Sequence, residues 1–100
     1  MKVTPIAVDP AAVFLDMPAP EGTQVRMGCI RFRAGERVPE SGCSLHEQGE
    51  YSYVVTGSLT VTAAGVTTTA RAGDLISIPP GESHFTQVES DSSLVYLLIG

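Results

Sequence analysis

The chain has 100 residues, 43% of them hydrophobic, enough for one domain with a core of its own and too few for two. Six basic residues against eleven acidic ones give a net charge of −5, which sets aside nucleic-acid binding through a clustered basic face. Pro5, Asp9 and Pro10 interrupt the N-terminal apolar residues, so neither a signal peptide nor a membrane span is predicted, and the expected location is the cytoplasm.

In chain order, Asp9-Pro10 has the form of an N-cap followed by proline at the first helical position, predicting a short helix over Pro10 to Leu15. Pro18, Pro20 and Gly22 form a stiff linker into a first strand, Thr23 to Phe32. A polar loop from Arg33 to Gly42 follows. Tyr51 to Thr56 is rich in β-branched and aromatic residues and stops at Gly57. Ser58 to Thr62 and Val66 to Ala70 flank Ala63-Ala64-Gly65, a tight hairpin. Leu75 to Ile78 and His84 to Val88 flank Pro79-Pro80-Gly81, where proline presets φ and glycine tolerates a positive one. Leu94 to Ile99 closes the series after a polar turn. Short strands at this spacing predict an all-β sandwich or barrel.

Alternation along each strand decides which side chains share a face. Ser44 and His46 fall on one side of an extended segment. Glu50, Ser52 and Val54 share one face of the next strand, with Tyr51, Tyr53 and Val55 on the other. His84, Thr86 and Val88 form a third set. A barrel that turns these three sets inward brings His46, Glu50 and His84 together, and two imidazoles with one carboxylate make a metal cage. Singly, each histidine is as well explained by a hydrogen bond inside the barrel, and Glu50 by a strand edge. Glu47 rivals Glu50 but suits a loop. Arg26 shares a face with Ile30 and Phe32, which makes it a candidate contact for a substrate carboxylate; an exposed strand arginine is the plainer reading. Cys29 and Cys43 lack zinc-type spacing and are expected to be reduced, with Cys43 facing away from His46.

Gly73, Pro79, Gly81 and His84 follow the pattern Gly-x5-Pro-x-Gly-x2-His, and His46, Glu50 and Gly57 fit the second half of His-x-His-x3,4-Glu-x6-Gly. In these two motifs the sequence resembles the cupin superfamily. It departs from the pattern at Ser44, which stands at the first histidine position. It departs again at Val38, where an opening glycine is usual, and at Val88, where the second motif ends in asparagine. The resemblance implies a small antiparallel double-stranded β-helix, the jelly-roll or cupin barrel. Residues 1–100 would form a single domain, with 1–22 as an N-terminal extension and 23–100 as the barrel. It implies His46, Glu50 and His84 as ligands of a divalent metal ion (Fe, Mn, Ni, Cu or Zn) and Ser44 as the missing fourth, free to hold a water or substrate oxygen. It further implies a homodimer, which would cover the apolar face of Tyr51, Tyr53 and Val55 unless the N-terminal segment does so. Two functions follow. One is a metal-dependent enzyme acting on a small oxygenated or anionic molecule, an isomerase, lyase, decarboxylase or dioxygenase, with Glu50 able to take a proton. The other is a small-molecule-binding or sensing protein with a weak metal site or none.

Overall fold

A computed structural model describes residues 11–18 and 22–100, which form two antiparallel sheets. The strands are β1 (Ala11–Pro18), β2 (Gln24–Phe32), β3 (Arg37–Val38), β4 (Gly49–Thr56), β5 (Ser58–Ala63), β6 (Val66–Arg71), β7 (Leu75–Ile78), β8 (His84–Val88) and β9 (Ser92–Ile99). One sheet runs β1-β2-β9-β4-β7 and the other β3-β8-β5-β6. Successive strands β4 and β5 therefore lie in different sheets, as do β8 and β9, which is the winding of a jelly roll.

The hairpin closes as expected. Ala63 pairs with Val66, leaving Ala64 and Gly65 as a two-residue turn with φ of 49° and 76°. Two left-handed residues in succession give the primed turn whose twist matches the flanking strands.

Two segments differ from their sequence reading. The expected helix over Pro10 to Leu15 is a strand over its described part: Ala11 to Leu15 belong to β1, which pairs with β2 from Ala11↔Ile30 to Pro18↔Gln24. Asp9 and Pro10, which carried the helix signal, lie outside the described residues. The edge of β2 offers a row of backbone partners, and a local cap cannot outweigh that tertiary pairing. Within the loop from Arg33 to Gly42, Arg37 and Val38 form β3 by pairing with Gln87 and Thr86.

Between the sheets, Val54, Leu59, Val61, Ala70, Ile78 and Leu94 form the core, with Ile30, Phe32 and Ile76 packed against it. Leu59, Val54 and Val88 are fully buried, each contributing roughly 1.5–3 kcal/mol by leaving water. Val88, at the position where the cupin pattern has asparagine, is thus a core residue paired with Leu59.

Gly57 links β4 to β5 at the point where the chain changes sheet. Its φ is +89°, and a Cβ there would press into the carbonyl oxygen of Asp91 and the Oγ of Ser92, with the Ser92 Cα 2.7 Å away. Both the conformation and the space require glycine. Gly57→Ala is expected to cost about 2–3 kcal/mol, lowering Tm by roughly 10–20 °C for a domain of this size. Thermal unfolding followed by circular dichroism measures it, and an unchanged Tm would refute the close-approach argument.

Candidate metal centre and cavity

The inner face of the five-stranded sheet grades from apolar to polar in three rows set by strand register. Ile30, Leu94 and Val54 lie level across β2, β9 and β4; then Gly28, Tyr96 and Ser52; then Arg26, Leu98 and Glu50. Facing them, β8 runs from buried Val88 through Thr86 to His84. Together these residues enclose a cavity of about 380 Å³ with Leu59, Val61 and Leu94 on its floor and Ser44, His46, Glu50 and His84 in its wall. A larger groove of about 620 Å³ runs between β6 and β7, but no metal-ligating cluster lines it among the described residues, and its Asp74 carboxylate accepts the Arg71 backbone N–H. The chemistry belongs to the smaller cavity.

His46, Glu50 and His84 meet there, each offering a ligand atom within 4.8 Å of the others. Three local features place them. Glu50 points inward because β4 keeps strict alternation, with Ser52 and Val54 on its side and Tyr53 and Val55 exposed. His84 is buried at the start of β8, where Ser44 and His84 exchange backbone hydrogen bonds of 2.8 and 3.0 Å. His46 is fixed from the opposite motif: the backbone N–H of Gly81, in the Pro-Pro-Gly turn, donates to the His46 carbonyl at 2.9 Å. The turn that delivers one histidine thus holds the other.

Both imidazoles are oriented by the main chain. His46 Nδ1 donates to the Gln48 carbonyl at 2.8 Å, and His84 Nδ1 donates to the Glu82 carbonyl at 2.9 Å. A carbonyl can only accept, so in each neutral ring the proton lies on Nδ1 and the Nε2 lone pair is left free. His84 Nε2 stands 3.3 Å from Glu50 Oε2, and the two rings lie edge to face at 5.2 Å. Backbone-anchored Nδ1 with a free Nε2 is the form in which histidine binds metals, so the donor set fits one divalent ion. Zinc, iron and manganese all accept two imidazoles and a carboxylate, leaving further positions open.

Ser44 also lines the cavity, beside His84. Glu47 is exposed and stands outside the cluster. Cys43 is exposed and Cys29 buried, and neither is in a disulfide. Arg26 combines the two roles weighed for it. It lines the cavity, while its side chain remains 44% exposed and is held by Asp16 across the β1–β2 pair, through Nε at 3.2 Å and Nη2 at 2.9 Å.

Asp16 is a residue that sequence reasoning missed, because the helix reading put it beyond a helix end. The hydrogen bond from Arg26, and then one from Gln24, hold its carboxyl below the ordinary value of 3.8. The pair's contribution to stability is therefore full above the unfolded-state value and fades as pH falls through the lower folded value. In Arg26→Gln the Asp16 midpoint, followed by carboxyl NMR, should move back up toward 3.8; a midpoint that stays put would refute this assignment.

A family model described as "Cupin domain" matches residues 30–100. The chain is a cupin. Among curated proteins, no sequence matches it significantly. Solved structures agree on the fold. KdgF from Halomonas sp. superposes with a TM-score of 0.73 at 22% identity, covering 89% of this chain and 76% of that one. An RmlC-like cupin from Shewanella frigidimarina gives 0.67 at 21%, covering 85% and 82%. A mutant of salicylate 1,2-dioxygenase from Pseudoaminobacter salicylatoxidans gives 0.74 at 22%, but there this cupin matches only 25% of the longer chain. Another mutant of that dioxygenase was solved in complex with gentisate.

Proposed function

We propose that this cupin is a metal-dependent enzyme acting on a small oxygenated or anionic metabolite, in the isomerase, lyase, decarboxylase or dioxygenase class. The observation that carries the reading is the convergence of two backbone-locked imidazoles and the Glu50 carboxylate in a cavity of small-molecule size. His46, Glu50 and His84 would hold the ion, which when bound supplies Lewis acidity or, for a redox metal, electron transfer. Glu50 has two oxygens. With Oε2 directed at His84 Nε2, the other would be free to accept a proton from a substrate carbon or hydroxyl. The Ser44 hydroxyl would orient a water or substrate oxygen beside His84. Leu59, Val61 and Leu94 beneath them lower the local polarity and so strengthen every charge interaction above.

Elemental analysis of protein purified without a metal-affinity tag tests the reading, beside a His46→Ala/Glu50→Ala control. Near-stoichiometric metal in the wild type alone supports it. A wild type that is empty and takes up no added ion refutes it. The second reading, a non-catalytic binding protein, is favoured by one observation: the fourth ligand position holds Ser44. It is distinguished by small-molecule affinity that survives removal of metal.

The same proposal includes a homodimer. Tyr53, Val55, Leu75 and Ile99 are exposed on the outer face of the five-stranded sheet, and Leu75, Tyr53 and Val95 form a row across β7, β4 and β9. β1 extends the edge of that sheet and leaves the outer face of β4 and β7 uncovered among the described residues. A two-fold axis would set this patch against itself, so a charge placed in it appears twice and unpaired. Light scattering should give twice the chain mass for the wild type and the single chain mass for Tyr53→Glu. A monomeric wild type would end this part of the proposal.

A further inference from the structure

Among the described residues that line the cavity, Arg26 is the single Lys or Arg side chain. It lies in the same row as Glu50, separated from it by Leu98 on the strand between. Strands spaced about 4.8 Å apart put the Arg26 and Glu50 backbones roughly 10 Å from each other, with both side chains turned to the same space. Within that space the guanidinium and the His46–Glu50–His84 cluster are two polar poles, and Tyr96 and Leu98 stand between them.

The contacts of Arg26 leave it able to bind. Asp16 engages one edge of the guanidinium, with Nε and Nη2 both donating to Oδ2. The remaining edge, Nη1 with the second proton of Nη2, has no protein acceptor among the described residues. Two parallel N–H donors at that edge match the two oxygens of a carboxylate. Asp16 also fixes the plane of the guanidinium, which would otherwise rotate freely at the cavity mouth. Charge favours an anion as well: Arg26 balances Glu50 within the lining, so a divalent ion in the cluster makes the cavity net positive.

We infer that Arg26 anchors the carboxylate of the substrate, which is a small hydroxy- or oxo-carboxylate reaching with its second oxygen function toward His46, Glu50 and His84. The carboxylate pole rests on Arg26 alone, whereas the assignment of the second pole rests on the metal-centre reading proposed above. The ligand lies along the row from β2 to β4, its carbon spacer against Leu98 and Tyr96.

The test uses the whole chain loaded with Zn²⁺ and a fixed panel of hydroxy- and oxo-carboxylates of about three to eight carbons, each paired with its primary amide. Calorimetry should find carboxylates bound about tenfold or more tightly than their neutral amides by the wild type. In Arg26→Gln that preference should fall to within about threefold, with zinc uptake unchanged; Arg26→Lys should keep part of it as a point charge without the fork. A panel with no carboxylate preferred over its amide overturns the inference, and so does a preference that persists in Arg26→Gln. The two proposals fail separately. Zinc uptake with no role for Arg26 removes the anchor and leaves the metal centre, whereas an Arg26-dependent preference in protein that binds no zinc removes the metal centre and leaves the anchor.

Discussion

Glu50→Gln should abolish metal binding while leaving the barrel folded. The substitution keeps the shape of the side chain and removes the only carboxylate among the described residues of the cavity lining. Two neutral imidazoles then remain, too few to hold a divalent ion against water. Saturating the wild type with zinc or manganese at about a hundred times Kd should stabilise it by about 2.7 kcal/mol. For a domain of this size that is a rise in Tm of roughly 10–20 °C. Glu50→Gln and His84→Gln should show no such rise and no metal by elemental analysis. Because Glu50 is partly exposed, its substitution leaves the core of Val54, Leu59 and Leu94 intact, so its metal-free Tm should stay close to that of the wild type. If both variants keep their metal and the thermal shift, the cluster is a hydrogen-bonded group and not a metal centre.

The strands that build this site were legible because their sequences alternate. Glu50-Tyr51-Ser52-Tyr53 reads polar and apolar by turns, and the inward face it shares with Val54 is found as predicted. The Pro-Pro-Gly turn bounded β7 and β8 without error, since proline and glycine fix backbone angles locally. What stayed hidden is whatever depends on pairing. Leu94 to Ile99 is apolar on both faces, so no period reveals that Tyr96 and Leu98 face the cavity while Val95 and Leu97 face out. Arg26 could be placed on the inner face by its spacing from Ile30 and Phe32, yet its partner Asp16 could not, because that contact exists only once β1 pairs with β2. The helix reading of β1 failed for the same reason: the competing partner lies outside the segment that was read.

Ser44→His should tighten metal binding by about two orders of magnitude. Ser44 and His84 are directly paired in an antiparallel bridge, so their side chains leave the backbone on the same side, and Ser44 already lines the cavity beside His46. An imidazole there would reach the space where the other three ligand atoms converge. A structural zinc site of four protein ligands binds with about 10–16 kcal/mol, so one ligand supplies roughly 3 kcal/mol, and 2.7 kcal/mol is a hundredfold. The gain depends on the site being preorganised, which the carbonyl anchors on His46 and His84 provide. Competition against a chelator of known affinity would measure it. The added ligand also closes a coordination position that Ser44 leaves to water or substrate. Under the enzyme reading, Ser44→His should therefore weaken binding of the carboxylates that Arg26 anchors even as it strengthens binding of zinc. Unchanged zinc affinity would mean that Ser44 does not face the ion, and the three remaining ligands would then have to account for the site without a fourth position beside them.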